Sequence, residues 1–431
     1  MSFGMMCLIL FGLFIVCLLM NIPIAFSLLI ACCVFIMQTG MTSIDMVTQT
    51  MFATVDNFPL LAVPFFILSG ELMSSGGIAV RLIDFAKTLV GHKTGGLGAI
   101  AILGCMIFAA ISGSGTATAA AIGGIMIPIM IENKYKAEHS AATVGTAGAL
   151  GPIIPPSIFF VLYGVIANVS ISKLFIGGLL PGILVTISLL IVNFLICKKE
   201  GYPKADFKFS WANVIKEFKR AFFALLAPIV ILGGIYGGVV TPTEAAVVGV
   251  IYSLIVSMFI YKELKLADLP RIFMKGGMTA ATILIIMGPA ALFGKMMAIA
   301  RIPQLLAGVL GGITHSPMIL LLIINIVLLI TGMLMEGAAA ITILSPLLVP
   351  IVVAYGIDPL HFGIIMSVNL SAGLFTPPFG LNLFITSKIA GVKFTDTFKY
   401  LWPQVFAVLI ALAVITVVPQ LSTLLPGILV K

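Results

Sequence analysis

Charged residues in this sequence fall into short clusters, and the stretches between clusters are apolar over lengths that can span a bilayer. A crossing helix needs about 20 apolar residues, so the apolar stretches predict roughly ten to twelve crossings or partial crossings. Only 9% of the 431 residues are charged and 61% are hydrophobic, whereas an ordinary soluble domain is about 25% charged. Too few charges remain to build a water-facing surface. That excludes a soluble enzyme, a nucleic-acid binder and a disordered chain. The net charge of +8 arises from clusters bordering apolar runs, the pattern of membrane loops rather than of a DNA-binding face. The expected fold class is an all-α polytopic membrane protein. Residues 1–37 lack a basic leader and a small-residue cleavage site, so they read as a retained span. The six cysteines have neither metal-ligand nor redox spacing and are expected to pack as small apolar side chains.

The basic residues orient the chain. A long loop, 197–220, carries Lys198, Lys199, Lys204, Lys208, Lys216, Lys219 and Arg220 against Glu200, Asp206 and Glu217. Other clusters are Arg81, Lys87 and Lys93; Lys134 and Lys136; Lys262, Lys265, Arg271 and Lys275; and Lys388, Lys393 and Lys399. One threading places all of these on the cytoplasmic side. It starts outside, breaks residues 3–37 into a helical pair near Asn21 and Pro23, and ends with Lys431 outside. It also requires two segments, 98–130 and 315–353, to enter and leave on the same side. Residues 3–37 as a single long tilted helix is the alternative.

An internal repeat supports that threading. Shifting Pro128, Pro155, Pro156 and Pro181 by 222 positions lands on Pro350, Pro377, Pro378 and Pro403, while Pro152 lands on Leu374. Gly115 likewise meets Gly337, and Gly151 meets Gly373. With 23 prolines in 431 residues, a random offset would match fewer than one of five. The threading gives the two copies opposite orientations, and inverted repeats with matched broken helices are the sequence signature of secondary transporters.

Each copy holds a small-residue turn inside an apolar segment, Ser112-Gly113-Ser114-Gly115-Thr116 and Thr331 to Gly337. Each also holds a break, Gly151-Pro152-Ile153-Ile154-Pro155-Pro156-Ser157 and Gly373-Leu374-Phe375-Thr376-Pro377-Pro378. Consecutive prolines remove backbone donors and push the preceding residue out of the helical region. The helix must unwind there and bare carbonyls that lipid cannot satisfy. Carbonyls with a few hydroxyls make a ligand set for a hard cation such as Na⁺. Two sites are expected, one from Ala110, Ser112, Gly151, Ile154 and Pro156, the other from Gly332, Gly373, Thr376 and Phe379. Two or more Na⁺ ions would be carried. Substrate contacts are expected from Ser112, Ser114, Thr116, Ser157, Asn168 and Glu336, because an ionisable group such as Glu336 within an apolar segment marks function by default. Asn369 and Asn382 bind substrate or bridge helices. Glu244, after Pro242 and Thr243, suits a helix N-terminus.

Phosphate cradles and catalytic motifs are absent from the sequence: Gly91-His92-Lys93-Thr94 does not form one, and there is no H-E-x-x-H or G-x-S-x-G. An intramembrane enzyme would need titratable groups converging, and Glu71, Glu132, Glu244 and Glu336 have no histidine nearby in sequence. A passive channel would be indifferent to Na⁺ and to a partner protein.

The Ser112-Gly113-Ser114-Gly115 tip, the Gly148-Ala149-Leu150-Gly151-Pro152 and Pro155-Pro156-Ser157 break, and the Pro377-Pro378 echo resemble the large membrane subunit of tripartite ATP-independent periplasmic (TRAP) transporters. Asn21-Ile22-Pro23-Ile24-Ala25-Phe26 and Pro242-Thr243-Glu244-Ala245 are similar too. The resemblance spans essentially the whole chain. It implies a Na⁺-driven elevator in a bacterial inner membrane, with both termini periplasmic. Two re-entrant helical hairpins and two broken helices would move against a scaffold. The expected division is scaffold 1–97, first transport half 98–170, scaffold and basic loop 171–314, second transport half 315–390 and a C-terminal helix 391–431. The resemblance also implies a small four-helix membrane subunit, here expected as a separate chain, and a periplasmic substrate-binding protein. The cargo would be an organic acid, sialic acid first and a C4-dicarboxylate second, since Glu336 would suit a polyhydroxylated acid.

Overall fold

The computed structural model describes residues 3–91, 94–202 and 210–429; His92, Lys93, Lys204, Asp206, Lys208 and Lys431 lie outside the described residues. Among the described residues, nine helices are long and apolar enough to cross a membrane, accompanied by seven shorter apolar helices, and there is no strand. The helix Ile171–Glu200 shows why such a chain needs lipid. Ile183, Ile187, Ile191 and Phe194, spaced about one turn apart, are 47–54% exposed, while Val185, Leu189 and Cys197 on the other face are buried. A continuous exposed stripe of this kind is tolerated against hydrocarbon, not against water.

The chain opens with the helical pair Gly4–Leu19 and Ile24–Thr39. Between them Asn21 adopts a left-handed φ of 64° and the Ile22 N–H bonds the Cys17 carbonyl at 3.0 Å. The expected break near Asn21 and Pro23 is therefore present.

The basic clusters meet at one end of the molecule. Glu200 accepts from Lys136 at 2.6 Å and from Lys399 at 3.0 Å, joining three clusters distant in sequence. Arg81 pairs with Glu263 at 2.6 Å, and Phe85 packs at a tilt against Phe218 with ring centroids 5.9 Å apart. Tyr261 donates to the Arg220 carbonyl at 3.2 Å, tying the 262–275 cluster to the long loop.

Two hairpins and two broken helices form the centre. The first hairpin, Gly96–Ser112 and Gly115–Glu132, has both ends at the basic end: Gly95 lies against Cys197 and Tyr135 stacks on Tyr202. The second, Pro317–Leu334 and Gly337–Ala354, closes at the opposite end, where the Tyr355 hydroxyl donates to the Thr314 carbonyl at 3.1 Å. The first broken helix is Ala137–Gly148 and Ile158–Ala167; the second is Pro359–Gly373 and Leu381–Ala390. They run antiparallel, with Tyr163 donating to the Pro359 carbonyl at 2.7 Å. Every residue from 139 to 164 and from 360 to 376 is buried. The first unwound stretch is thus wrapped in protein, as irregular backbone at membrane depth requires, whereas the second comes to the surface at Pro378 and Phe379.

Two boundaries differ from expectation. The first hairpin starts at Gly96 rather than residue 98. The segment 391–431 holds two helices, Phe398–Val417 and Gln420–Leu429, because Pro419 forces Val418 out of helical geometry.

Candidate functional site

Each hairpin tip is pressed onto the break of its own repeat. In the first, Gly113 turns the chain with φ +61°, and the Ile158 N–H reaches its carbonyl at 3.4 Å. A Cβ on Gly113 would lie 2.7 Å from the Pro156 carbonyl oxygen, and one on Gly151 would lie 2.7 Å from the Gly115 nitrogen and run into the Ser114 carbonyl. In the second, a Cβ on Gly373 would run into the Gly332 carbonyl. Glycine at both positions is what lets the backbones touch.

The prolines leave the carbonyls of Gly151, Pro152, Gly373 and Leu374 without their helical donors four residues on. Substitutes are local. The Ser157 hydroxyl donates to the Pro152 carbonyl at 2.5 Å, the Thr376 N–H to the Gly373 carbonyl at 3.2 Å, and the Asn382 N–H to the Leu374 carbonyl at 2.8 Å. Both Pro155-Pro156 and Pro377-Pro378 are cis.

The tips also touch the break of the other repeat. A Cβ on Gly115 would lie 2.8 Å from the Leu374 Cδ1 and 3.4 Å from the Asn382 Nδ2, and one on Gly337 would enter the Phe159 ring. Two tips and two breaks therefore form one cluster at the middle of the fold.

Side chains in that cluster divide sharply. Ser112, 1% exposed, shares a 2.8 Å hydrogen bond with Thr118, which donates to the Ser114 carbonyl at 2.7 Å. Ser114 bonds Thr116 at 3.3 Å and caps the second arm by accepting from the Ala117 N–H at 3.4 Å. At the equivalent position Glu336 caps the other hairpin, its Oε2 accepting from the Ala339 N–H at 3.0 Å. Ala110, half-buried, ends the first arm, and Ile154 and Pro156 are buried in the break. The Thr376 hydroxyl donates back to the Ala372 carbonyl at 2.7 Å.

Asn168 stands apart from this cluster. It is an exposed left-handed cap, φ 54°, at the far end of the ten-residue helix that begins after Ser157, about 15 Å away. There it lines a cleft with Lys173 and Asp358 rather than facing the tips. The Phe379 side chain is 62% exposed, leaving only its backbone as a ligand. Asn369 bridges helices by donating to Asn325, its Oδ1 being buried without a partner. Asn382 donates to the Gly145 carbonyl at 3.3 Å, and its own Oδ1 is likewise buried and unpartnered beside the first tip. Thr118 is the member of the network that sequence inspection missed; a hydroxyl one turn beyond the Ser114 cap was the available signal. Glu71 is taken up by Lys275 at 2.7 Å and Glu244 by a capping box with Thr241, so neither enters this cluster. Among the described residues no three His, Cys, Asp or Glu converge as metal ligands. Besides the Glu336 carboxylate, the oxygens that could meet an ion here are carbonyls and hydroxyls.

Comparison with known proteins gives the family. Residues 11–421 match the family described as "Tripartite ATP-independent periplasmic transporter, DctM component". The chain is 42% identical to the C4-dicarboxylate TRAP transporter large permease protein DctM of Pseudomonas aeruginosa, over 88% of each chain. It is 39% identical to the sialic acid TRAP transporter large permease protein SiaM of Vibrio cholerae, over 94% of this chain and 95% of that one. A further relative, the isethionate TRAP transporter permease protein DctMQ of Oleidesulfovibrio alaskensis, is 42% identical over 97% of this chain, which spans 66% of its length. The fold is shared with the YdaH transporter of Alcanivorax borkumensis, at a TM-score of 0.60 and 15% identity over 86% of both chains. This chain belongs to the DctM component family of tripartite ATP-independent periplasmic transporters.

Proposed function

We propose that this chain is the large permease of a TRAP system in a bacterial inner membrane, where it carries an organic acid inward with Na⁺ by an elevator motion. The observation that carries the reading is the double contact between hairpin tip and proline break, repeated at an interval of 222 residues. Each contact brings bare carbonyls and small residues together at a buried point. Na⁺ bound there, by Ala110, Ser112, Gly151, Ile154 and Pro156 or by Gly332, Gly373, Thr376 and Phe379, would fix each tip on its break. Substrate would then find Ser114, Thr116 and the second oxygen of Glu336 presented in register. Asn168 has no part in this, because of its distance from the tips. With the basic end cytoplasmic, both termini are periplasmic. A small membrane subunit would flank the scaffold, and a periplasmic binding protein would deliver the cargo.

Relatives are named for sialic acid, C4-dicarboxylates, isethionate and 2,3-diketo-L-gulonate. All are organic anions, and a carboxylate at the second tip favours the hydroxyl-rich members, sialic acid first. The test is uptake of radiolabelled N-acetylneuraminate, succinate and isethionate into proteoliposomes holding the complete system. Uptake of one of them that follows an inward Na⁺ gradient, and ceases without it, is expected. Uptake equal in Na⁺ and K⁺ would reduce the chain to a passive pathway.

A further inference from the structure

A cleft of about 630 Å³ opens between the scaffold and the central cluster, a volume in the range of small-molecule sites. One wall is scaffold: the helix Asp45–Val55 with the residues just after it, and the helix Leu269–Ile299. The other wall is the second arm of the second hairpin, through Thr342 and Pro346, and the end of the first broken helix, through Val165. Its polar lining is Gln49, Thr50, Thr54, Asn57, Lys295 and Thr342.

Lys295 is the one cation in that lining. Among the described residues, Lys295 has no carboxylate within ion-pairing distance, and its hydrogen bond is to the Thr50 hydroxyl at 3.5 Å. Its side chain is exposed, so the ammonium can meet an anion that enters the cleft. Around it the cleft offers neutral amides and hydroxyls, among them the Asn57 Oδ1, buried with no partner. No acidic residue lines the cleft. This donor set suits an organic anion with hydroxyl or amide groups: the ammonium takes the carboxylate or sulfonate, and Gln49, Thr54 and Asn57 read the rest.

We propose that this cleft is an anion site where the organic acid is first captured, with Lys295 as its charge-reading residue. The inference rests on the transport reading above and deepens it. A ligand here touches fixed scaffold and hairpin arm together, so its charge is neutralised before the tips close on it. Lys295 also resolves the difficulty of an acidic cargo approaching the carboxylate of Glu336.

The test uses the purified full chain with its small subunit. Thermal stabilisation by N-acetylneuraminate, succinate and isethionate is measured for the wild type, Lys295→Gln and Lys295→Arg. At least one of the three anions is expected to stabilise the wild type. In Lys295→Gln its apparent affinity falls about ten- to hundred-fold, the cost of losing one charge-assisted hydrogen bond, whereas Lys295→Arg keeps most of it. Equal stabilisation of wild type and Lys295→Gln, or no stabilisation of the wild type by any of the three, would overturn the site. Uptake assays separate the two readings. Na⁺ dependence of wild-type uptake tests the coupling, while the half-saturating anion concentration in Lys295→Gln, at unchanged half-saturating Na⁺, tests the cleft. Loss of Na⁺ dependence alone would leave the anion site standing.

Discussion

The two repeats share a backbone plan and differ in how side chains secure it. In the first hairpin the arms pack on each other and both lie on Ala137–Gly148. Its tip is laced by hydroxyls from Ser112 through Ser114 to Thr118. In the second hairpin the arms part. Pro317–Leu334 and Gly337–Ala354 both lie on Pro359–Gly373, and the second arm lies also on Leu269–Ile299 and on Ile158–Ala167. Its tip has a single polar device, Glu336. One hairpin is thus secured by its own residues, and the other by its neighbours. The difference teaches that the glycines and prolines define the shape, while polar residues decide which tip holds itself and which depends on what it leans against.

The largest effects should come from the shared part. Gly151→Ala and Gly373→Ala each place a methyl group into facing backbone, and such overpacking costs about 1–3 kcal/mol in a rigid site. Both variants should lose nearly all Na⁺-driven uptake while reaching the membrane in normal amounts. Gly124→Ala, in the second arm of the first hairpin, meets nothing within 4 Å and should transport as wild type. If only one of the two glycine variants lost transport, the repeats would not be equivalent at their breaks.

Exchanging the caps comes next. Glu336→Ser installs the first repeat's cap in the second. It should keep the wild-type melting temperature, whereas Glu336→Ala should lose about 1 kcal/mol of stability. Both should weaken substrate affinity if the second carboxylate oxygen binds cargo. Wild-type half-saturation in Glu336→Ser would make Glu336 a cap alone. A smaller effect is expected in the self-laced tip: Thr118→Val and Ser112→Ala both remove the hydrogen bond between them and loosen the hold on Ser114, each bond being worth about 1 kcal/mol. Half-saturating Na⁺ should rise several-fold, with the anion's half-saturation unchanged.

What could be read from the sequence follows the same division. Pro155-Pro156 and Pro377-Pro378 dictate unwinding through their own chemistry, so the breaks and the 222-residue register were legible without coordinates. So was the shared side of the basic clusters, which needed only charge. Lys295 was not legible, because its meaning lies in the cleft it lines and the helix Asp45–Val55 across from it. In sequence Thr118 is one more small residue in an apolar helix; only the turn at Gly113 brings Ser112 beside it. Glu336 was read for its charge, though its match to Ser114 across the repeat already held the cap. Asn168 offers the hydrogen bonds a substrate would take, but ten helical residues carry it away from the tips.

The smallest expected difference lies where the broken helices begin. Lys136 precedes the first and Asp358 the second, again 222 residues apart. Lys136 offers its helix no side-chain cap and reaches out to Glu200 at 2.6 Å, with its side chain 51% exposed. Asp358 caps its own helix, accepting from the Leu360 N–H at 2.8 Å, with Pro359 in the first turn. An exposed ion pair is worth little and is screened by salt, whereas an Asp cap contributes about 0.5–2 kcal/mol. Asp358→Ala should therefore lower the melting temperature of the purified protein at any ionic strength. Lys136→Ala should lower it less, and less still in about 0.5 M salt, which weakens exposed charge pairs. The opposite order would mean that the clasp on Glu200, not the cap, holds the broken helices in place.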